Sequence, residues 1–403
     1  MKKSLIALSV LGSCSYAAQA QTNVTVYGLL DSGVTYVNKI AAPSAADARG
    51  TGSRFSVDSG DLQQSRFGFK GTEDLGGGMK ALFHLEGGFA VDTGASGQGG
   101  LTFGRTSVVG LSGNFGAVQL GRRKDFIDEV ATYYSSVYDF GVFINGVHDN
   151  NLDRVGGNRA NNQIRYDTPL MNGLALNATY GFGETAGSTS TGQSLGLGAN
   201  YSNGPFGIGF GYWQSKLGTL SGGVNTSSDQ GVTLGAGCTP SYGHPGDTCI
   251  KTWMLGSSYK TGPWRFFGAW SKVLQPLATY GGNAAPLAVK FSGSAGSSPF
   301  TAGGSNNNSA NVFDLGVNYA LSDSLRLVGS VLQSRYSFVG SSTKGRLTQL
   351  NLGVDYSFSK RTDLYSYVAD LRAADMYSPG ITGGAPGADN AQIAFTVGLR
   401  HKF

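Results

Sequence analysis

Apolar and polar residues take turns along most of this chain, and that rhythm restricts the fold more than any other feature. Near the end, Ile393, Phe395, Val397, Leu399 and Phe403 share one face, while Gln392, Thr396, Arg400 and Lys402 share the other. Leu350, Leu352, Val354, Tyr356 and Phe358 likewise oppose Asn351, Asp355 and Ser357, and Phe67 and Phe69 oppose Arg66 and Lys70. A period of two marks β-strands with chemically different faces. Two kinds of connection separate these segments. Short ones rich in Gly, Asn, Ser or Pro, such as Leu75-Gly-Gly-Gly, Gly113-Asn-Phe-Gly, Leu170-Met-Asn-Gly and Ser359-Lys-Arg, suit tight hairpins. Long polar ones cover residues 40–60, 217–249, 275–310 and 376–390. The two kinds alternate, which predicts an antiparallel meander with tight turns at one end and long loops at the other.

A soluble sandwich would pack the apolar faces together. A membrane barrel would turn them to lipid and line water with the polar ones. Three features favour the barrel. The meander shows no crossover. Tyr201, Tyr259, Trp264, Tyr319, Tyr356 and Phe358 gather beside the short turns, where an interfacial girdle belongs. The chain ends on Phe403 after an alternating strand. The predicted fold is all-β: a transmembrane up-and-down barrel of about sixteen antiparallel strands, an even number as such barrels require.

Composition agrees. Glycine supplies 64 of 403 residues, far above the usual share of about 7%. Tyr, Phe, Leu and Val are too plentiful for disorder. Lys2 and Lys3, the apolar stretch 5–11 and Ala18-Gln19-Ala20 form a secretory signal, placing residues 1–20 outside the mature chain and 21–403 in one barrel domain. Leu11-Gly-Ser-Cys14 loosely resembles a lipoprotein cleavage box, but that reading gives Ala-x-Ala no role. No later run of about 18 apolar residues offers a transmembrane helix. Without Lys2 and Lys3 the formal charge falls from +5 to +3, too small and too dispersed for a nucleic-acid partner. Cys238 and Cys249 bracket a Pro/Gly-rich stretch in an exported chain and are expected to form a disulfide. A metal pair with His244 finds no further ligands, so neither metal nor cofactor is expected.

One connection breaks the pattern. Residues 122–159 are rich in Tyr, Phe, Val and Ile, carry Asp125, Asp128, Glu129, Asp139, Asp149 and Asp153, and are bracketed by arginines. So long and apolar a connection in a compact β-protein argues against disorder, and on its own it reads either as an ordinary surface loop with an apolar patch or as a functional element. We read residues 123–160 as a constriction loop folded into the barrel.

The stretches SRFGFKGTEDLGGGMKALFHLEGGF (65–89), GRTSVVGLSGNFGAVQLGR (104–122), RANNQIRYDTP (159–169) and the terminal GLRHKF resemble the general porins of Gram-negative bacteria, in their β-proteobacterial branch. The resemblance covers the mature chain and is densest in its first half. It implies a homotrimer of water-filled outer-membrane barrels, surrounded by lipid and lipopolysaccharide, with the third loop turned inward. It also implies that Phe403 is part of the signal read by the barrel-assembly machinery. In anion-preferring members, wall arginines face the constriction. By motif position these are Arg66, Arg105 and Arg159, with Glu86 matching an acid on the neighbouring wall.

Strand alternation tests these positions. Arg66 and Lys70 face inward opposite Phe67 and Phe69, and Glu86, Lys80 and His84 do so opposite Phe83 and Leu85. Arg159 shares the parity of Gln163 and Arg165. Arg105 has the outward parity of Val109 and Leu111, which a bulge near Gly104 would correct. Asp125, Asp128 and Glu129 are expected to offset the arginines. The implied function is passive diffusion of small hydrophilic solutes and ions with a mild anion preference.

Other readings remain open. Tyr133, Tyr134, Tyr138, Phe140 and Phe143 would suit a slide for sugars or aromatic acids in a substrate-specific porin, or would pin the loop to the wall. A barrel enzyme lacks support: His84, His148, His244 and His401 have no G-x-S-x-G nucleophile motif. A surface adhesin would need domain boundaries, and none stands out. Glycine-rich patches such as Gly196-Leu-Gly lack phosphate-loop spacing and fit strand positions where bulk is unwanted.

Overall fold

The structure, a computed structural model, describes residues 23–41, 51–148, 153–155, 159–184, 186, 187, 189, 193–215, 250–274, 277–280, 283–286, 307–338, 344–376, 378, 380–382 and 389–403. The expected signal peptide, Asp149, His244 and the Cys238–Cys249 pair lie outside the described residues.

The described strands are β1 Asn23–Ala41, β2 Thr51–Ser59, β3 Arg66–Gly76, β4 Met79–Gly88, β5 Thr106–Gly113, β6 Gly116–Lys124, β7 Arg159–Asp167, β8 Leu174–Gly181, β9 Ser194–Asn203, β10 Phe206–Ser215, β11 Ile250–Thr261, β12 Trp264–Leu274, β13 Leu277–Tyr280, β14 Asn283–Pro286, β15 Asn307–Ala320, β16 Leu325–Phe338, β17 Lys344–Ser357, β18 Thr362–Ala374 and β19 Ala391–Lys402. β13 and β14 form a separate hairpin, and the other seventeen make one antiparallel sheet. The early part of β1 pairs with β3 and its later part with β2, so β2 and β3 are two halves of one stave. β19 pairs back onto β1 across residues 29–37. The described strands therefore close into a barrel of sixteen staves, counting β2 and β3 once. Closure through β19 and β1 removes the two free edges that an open sheet would expose, the condition for β-structure inside hydrocarbon.

The two faces are inverted relative to a soluble protein. On β17, Leu352 is 52% exposed while its neighbour Asn351 is fully buried. Val24, Val26, Val34, Phe55 and Val57 point outward from β1 and β2, and Asp31 and Thr35 point in. The girdle is present: the Trp264 ring lies 4.3 Å from Tyr319 and stacks on Phe266, and Tyr356 meets Phe358 edge-on beside the next tight turn. Phe403 secures the closing seam. Its backbone exchanges hydrogen bonds of 3.0 and 3.1 Å with Gly28, and its ring occupies the space where a Gly28 Cβ would stand.

The 40–60 connection differs from expectation, because β1 runs to Ala41 and β2 occupies Thr51–Ser59. In β2 only Phe55 and Val57 carry the apolar rhythm, too few to stand out among polar neighbours. The β13–β14 hairpin and the start of β15 likewise take up part of 275–310.

Candidate functional site

The loop between β6 and β7 has a helical rhythm that its alternating surroundings hide. Ile127, Val130, Ala131 and Tyr134 recur at spacings of three and four, and all are buried. They form one face of helix α1, Phe126–Tyr134. Asp125 caps it, its side chain accepting the Ile127 N–H at 2.9 Å, and Asp128 and Glu129 sit in the first turn, where the helix dipole favours acids. The buried face rests in a groove made by glycines of the wall. A Cβ on Gly198 would fall 1.9 Å from the Phe126 ring, one on Gly211 2.8 Å from Ile127, and one on Gly256 2.5 Å from Tyr134. Unwanted bulk at such strand positions is thus explained: the missing side chains admit the helix.

A short helix, α2 (Val137–Phe140), and a 3-10 turn, Gly141–Ile144, carry the loop onward. Ser136 donates its backbone N–H and its hydroxyl to Asp314 on β15, at 2.6 and 2.5 Å. Arg326 on β16 bridges Asp139 of the loop and Asp355 of β17, both at 2.7 Å. Gln349 donates to the Phe143 carbonyl at 2.6 Å, Tyr336 to the Val147 carbonyl at 2.8 Å, and Phe140 packs edge-on against Tyr367. His148 is buried 2.6 Å from Asp153, which also accepts the Ser271 hydroxyl, and its other ring nitrogen lies 3.9 Å from Asp314. Burial opposes a charged imidazole here, but the two carboxylates prevail and hold it up to about 10. The loop is thereby fastened along β9 to β18, and its free face looks across the bore at the wall of β3 to β6.

Between them lies a cavity of about 370 Å³, bounded by Gln64, Arg66, Arg105 and Lys124 on the wall side and by Asp128, Thr132, Tyr138 and Asn145 on the loop. Arg66 stands at the start of β3, and its buried Nε has no hydrogen-bond partner among the described residues. Arg105 turns inward despite its parity. No bulge is needed, because the β4–β5 register begins at Thr106 and leaves Arg105 outside the strand's alternation. Its Nε donates to Glu86 at 2.7 Å and an Nη reaches Gln64. Glu86 also accepts the Tyr27 hydroxyl at 2.8 Å. Arg159, at the start of β7, donates to the Arg105 carbonyl at 3.0 Å and so supports that residue from behind.

The loop acids meet other cations. Asp125 pairs with Arg154, Asp128 accepts Lys124 at 2.7 Å, and Glu129 pairs with Arg165 at 2.7 Å and with Arg123 at 3.4 Å. Burial raises Asp125 above the usual carboxylate range although Arg154 opposes the rise. Two expected residues do not join this constriction. Lys70 faces the lumen with its Nζ 5.3 Å from the Tyr27 ring. Lys80 is exposed beside the tight turn after β3, six residues from Glu86, or roughly 20 Å of strand. Of the loop aromatics, Tyr134, Phe140 and Phe143 are packed away, whereas Tyr133 and Tyr138 are 58% and 38% exposed.

Sequence reasoning missed Lys124, Gln64 and the turn that carries Gln64. Residues 60–65 leave the second stave and fold inward: the Asp61 carbonyl accepts the Val142 N–H at 2.9 Å, and Gly141, at φ +50°, lets the two backbones touch. The visible signal was the Ser59-Gly-Asp break in an otherwise alternating stretch.

The chain as a whole has relatives among known proteins. The family model for Gram-negative porins matches residues 7–375. Outer membrane porin protein 32 of Delftia acidovorans is 33% identical over the full length of both chains, and an outer membrane porin protein of Bordetella pertussis is 28% identical, also over both full lengths. Among solved structures, an anion-selective porin from Comamonas acidovorans superimposes with a TM-score of 0.66 at 27% identity, covering 95% of this chain and all of that one. A trimer form of OmpT from Vibrio cholerae shares the fold alone, with a TM-score of 0.60 at 14% identity over 95% of this chain and 99% of that one.

Proposed function

The chain belongs to the Gram-negative porin family, and on that premise we propose that its barrel lets small hydrophilic solutes and ions diffuse passively, with a mild preference for anions set by Arg66 and Arg105. It is an outer-membrane channel and not an enzyme. Arg159 acts behind Arg105, and Lys124 adds a paired charge. The barrel works as a homotrimer in lipid and lipopolysaccharide, and Phe403 is read by the assembly machinery. The trimeric form of the Vibrio cholerae neighbour and the anion selectivity of the Comamonas acidovorans neighbour support this reading.

One observation carries the selectivity: Arg66 has no ion pair among the described residues, while each loop acid is already occupied by a different cation. Around the constriction, Arg66, Arg105 and Lys124 stand against Glu86 and Asp128, leaving 3 − 2 = +1. One such charge acts on an ion about 6 Å away through water with about 0.7 kcal/mol. That is close to thermal energy, enough to bias passage without trapping the ion. Arginine keeps its charge at every relevant pH. In a planar bilayer under a KCl gradient, Arg66→Gln with Arg105→Gln moves the zero-current potential toward cations. An unmoved potential removes both residues from selectivity.

A further inference from the structure

The outside of the wall carries a row of cations that the channel does not use. Lys272 on β12 lies opposite Asn311 on β15, Asn311 opposite Arg335 on β16, and Arg335 opposite Arg346 on β17. Arg335 has the parity of exposed Val331, and Arg346 that of exposed Leu350, so the row faces outward. Lys344 precedes Arg346 on the same face, and Arg372 on β18 stands opposite Thr348, two residues beyond Arg346. Tight turns join β15 to β16 and β17 to β18 at the other end, so these cations lie at the loop end, which faces the exterior. We propose that this face of the barrel binds the phosphorylated headgroup of an outer-leaflet glycolipid, lipopolysaccharide, and lays its acyl chains on the apolar band beside it. The proposal rests on the outer-membrane channel reading and adds a lipid site to it.

Like charges directly opposite each other on an antiparallel pair repel, and Arg335 and Arg346 are such a pair. An anion seated between them removes that cost. Among the described residues neither guanidinium has an ion pair: Arg335 donates to the Gln333 side chain at 3.1 and 3.2 Å. Lys344 donates to the Ser337 hydroxyl at 2.9 Å, and Arg372 meets Asp370 at 2.9 Å. Asp375, exposed just after β18, is the other acid nearby. Lys272, Arg335, Lys344, Arg346 and Arg372 against Asp370 and Asp375 leave 5 − 2 = +3. Clustered cations at a membrane surface attract anionic headgroups, and arginine holds phosphate through two parallel hydrogen bonds. Lys272 and Arg346 are three strand spacings apart, roughly 14 Å, which leaves room for a headgroup with more than one phosphate. Toward mid-wall the same strands expose Phe313, Leu315, Val331, Leu350 and Val368. A ligand that satisfies both zones is anionic at one end and apolar at the other. At the tight-turn end these strands turn Trp264, Tyr319, Tyr356 and Leu364 outward instead, so only the exterior leaflet meets the cation row.

The test titrates the whole channel, refolded in detergent free of bacterial lipid, with diphosphoryl lipid A and counts bound lipid by native mass spectrometry. Wild type binds this lipid roughly tenfold more tightly than dephosphorylated lipid A with the same acyl chains, as a few exposed charge contacts together allow. The Lys272→Gln, Arg335→Gln, Arg346→Gln triple variant loses that preference, while its KCl conductance and zero-current potential stay at the wild-type values. Equal affinity of wild type for the two lipids overturns the proposal. So does an unchanged preference in the triple variant, or phosphatidylglycerol bound as tightly as lipid A. Cross-linking of one barrel to another through Arg346→Cys in vesicles also overturns it, because the face would then belong to a contact between copies. If the triple variant does not assemble, the comparison of lipids on wild type still decides. A wild-type protein that leaves a bilayer non-conducting refutes the channel reading, whereas a conducting channel without lipid preference refutes the lipid site alone.

Discussion

Adding one methyl group at Gly198 tests whether the wall was shaped for the loop helix. In a Gly198→Ala variant the new carbon would lie 1.9 Å from Phe126 Cδ1 and 2.3 Å from Cγ. Carbon atoms settle at about 3.5–4.0 Å, so about 1.6–2 Å of separation must be found. Rotating the ring gains little, because Cγ is itself in the clash and stays on the rotation axis. The start of α1 must therefore move off the wall into the bore, carrying Asp128 toward Arg105. Overpacking of this kind costs about 1–3 kcal/mol, which the many anchors further along the loop can absorb without loss of the fold. The expected result is an assembled channel with lower single-channel conductance in KCl, restored by a second change, Phe126→Ala. The control is Gly329→Ala, where an added Cβ meets only Leu352 Cδ2 at 3.4 Å and a carbonyl at 3.8 Å. Conductance equal to wild type and to the control, in a correctly assembled channel, would refute a groove shaped for the helix.

Three further outcomes follow from the same geometry. Glu86→Gln removes a carboxylate beside Arg105 and should move the zero-current potential further toward anions; a shift toward cations contradicts the proposed charge balance. His148 is raised from 6.5 to about 10 in the folded loop, so its stabilising charge is complete below pH 6.5 and is lost as pH climbs through 10. Current noise from loop movement should thus grow between pH 7 and 10.5 in wild type but not in His148→Gln, and parallel profiles for the two would dismiss the latch. Phe403→Ala removes a half-exposed ring from Gly28, a loss of about 1 kcal/mol, and should lower the urea midpoint of the gel-shift transition and slow insertion into vesicles. An unchanged midpoint and rate would show the ring to be idle.

Much of the wall could be read from the chain because lipid and water impose opposite demands on alternate residues. Arg66 and Glu86 were placed by counting twos from Phe67 and Phe83, and both stand on the lumen face. Counting failed for Arg105, which precedes its strand and is released from that constraint. It failed inside the loop for a different reason. Ile127, Val130, Ala131 and Tyr134 obey a helical period, but their true partners are Gly198, Gly211 and Gly256, which lie far away in sequence and have no side chains to advertise a contact. The acids Asp125, Asp128 and Glu129 were legible as charges near the arginines. Their pairing with Arg154, Lys124 and Arg165 depends on how the loop lies and leaves no local trace.

The inward turn of the second stave links events that sequence order keeps apart. Asp61 accepts the hydroxyls of Thr35 and Thr396 at 2.8 and 2.9 Å, and so touches the first and last strands at once. The same residue props the far side of the loop through its backbone carbonyl. The narrow passage therefore depends on the seam: where head and tail of the polypeptide part, the prop loses its footing, and an opened cylinder is an unfiltered hole.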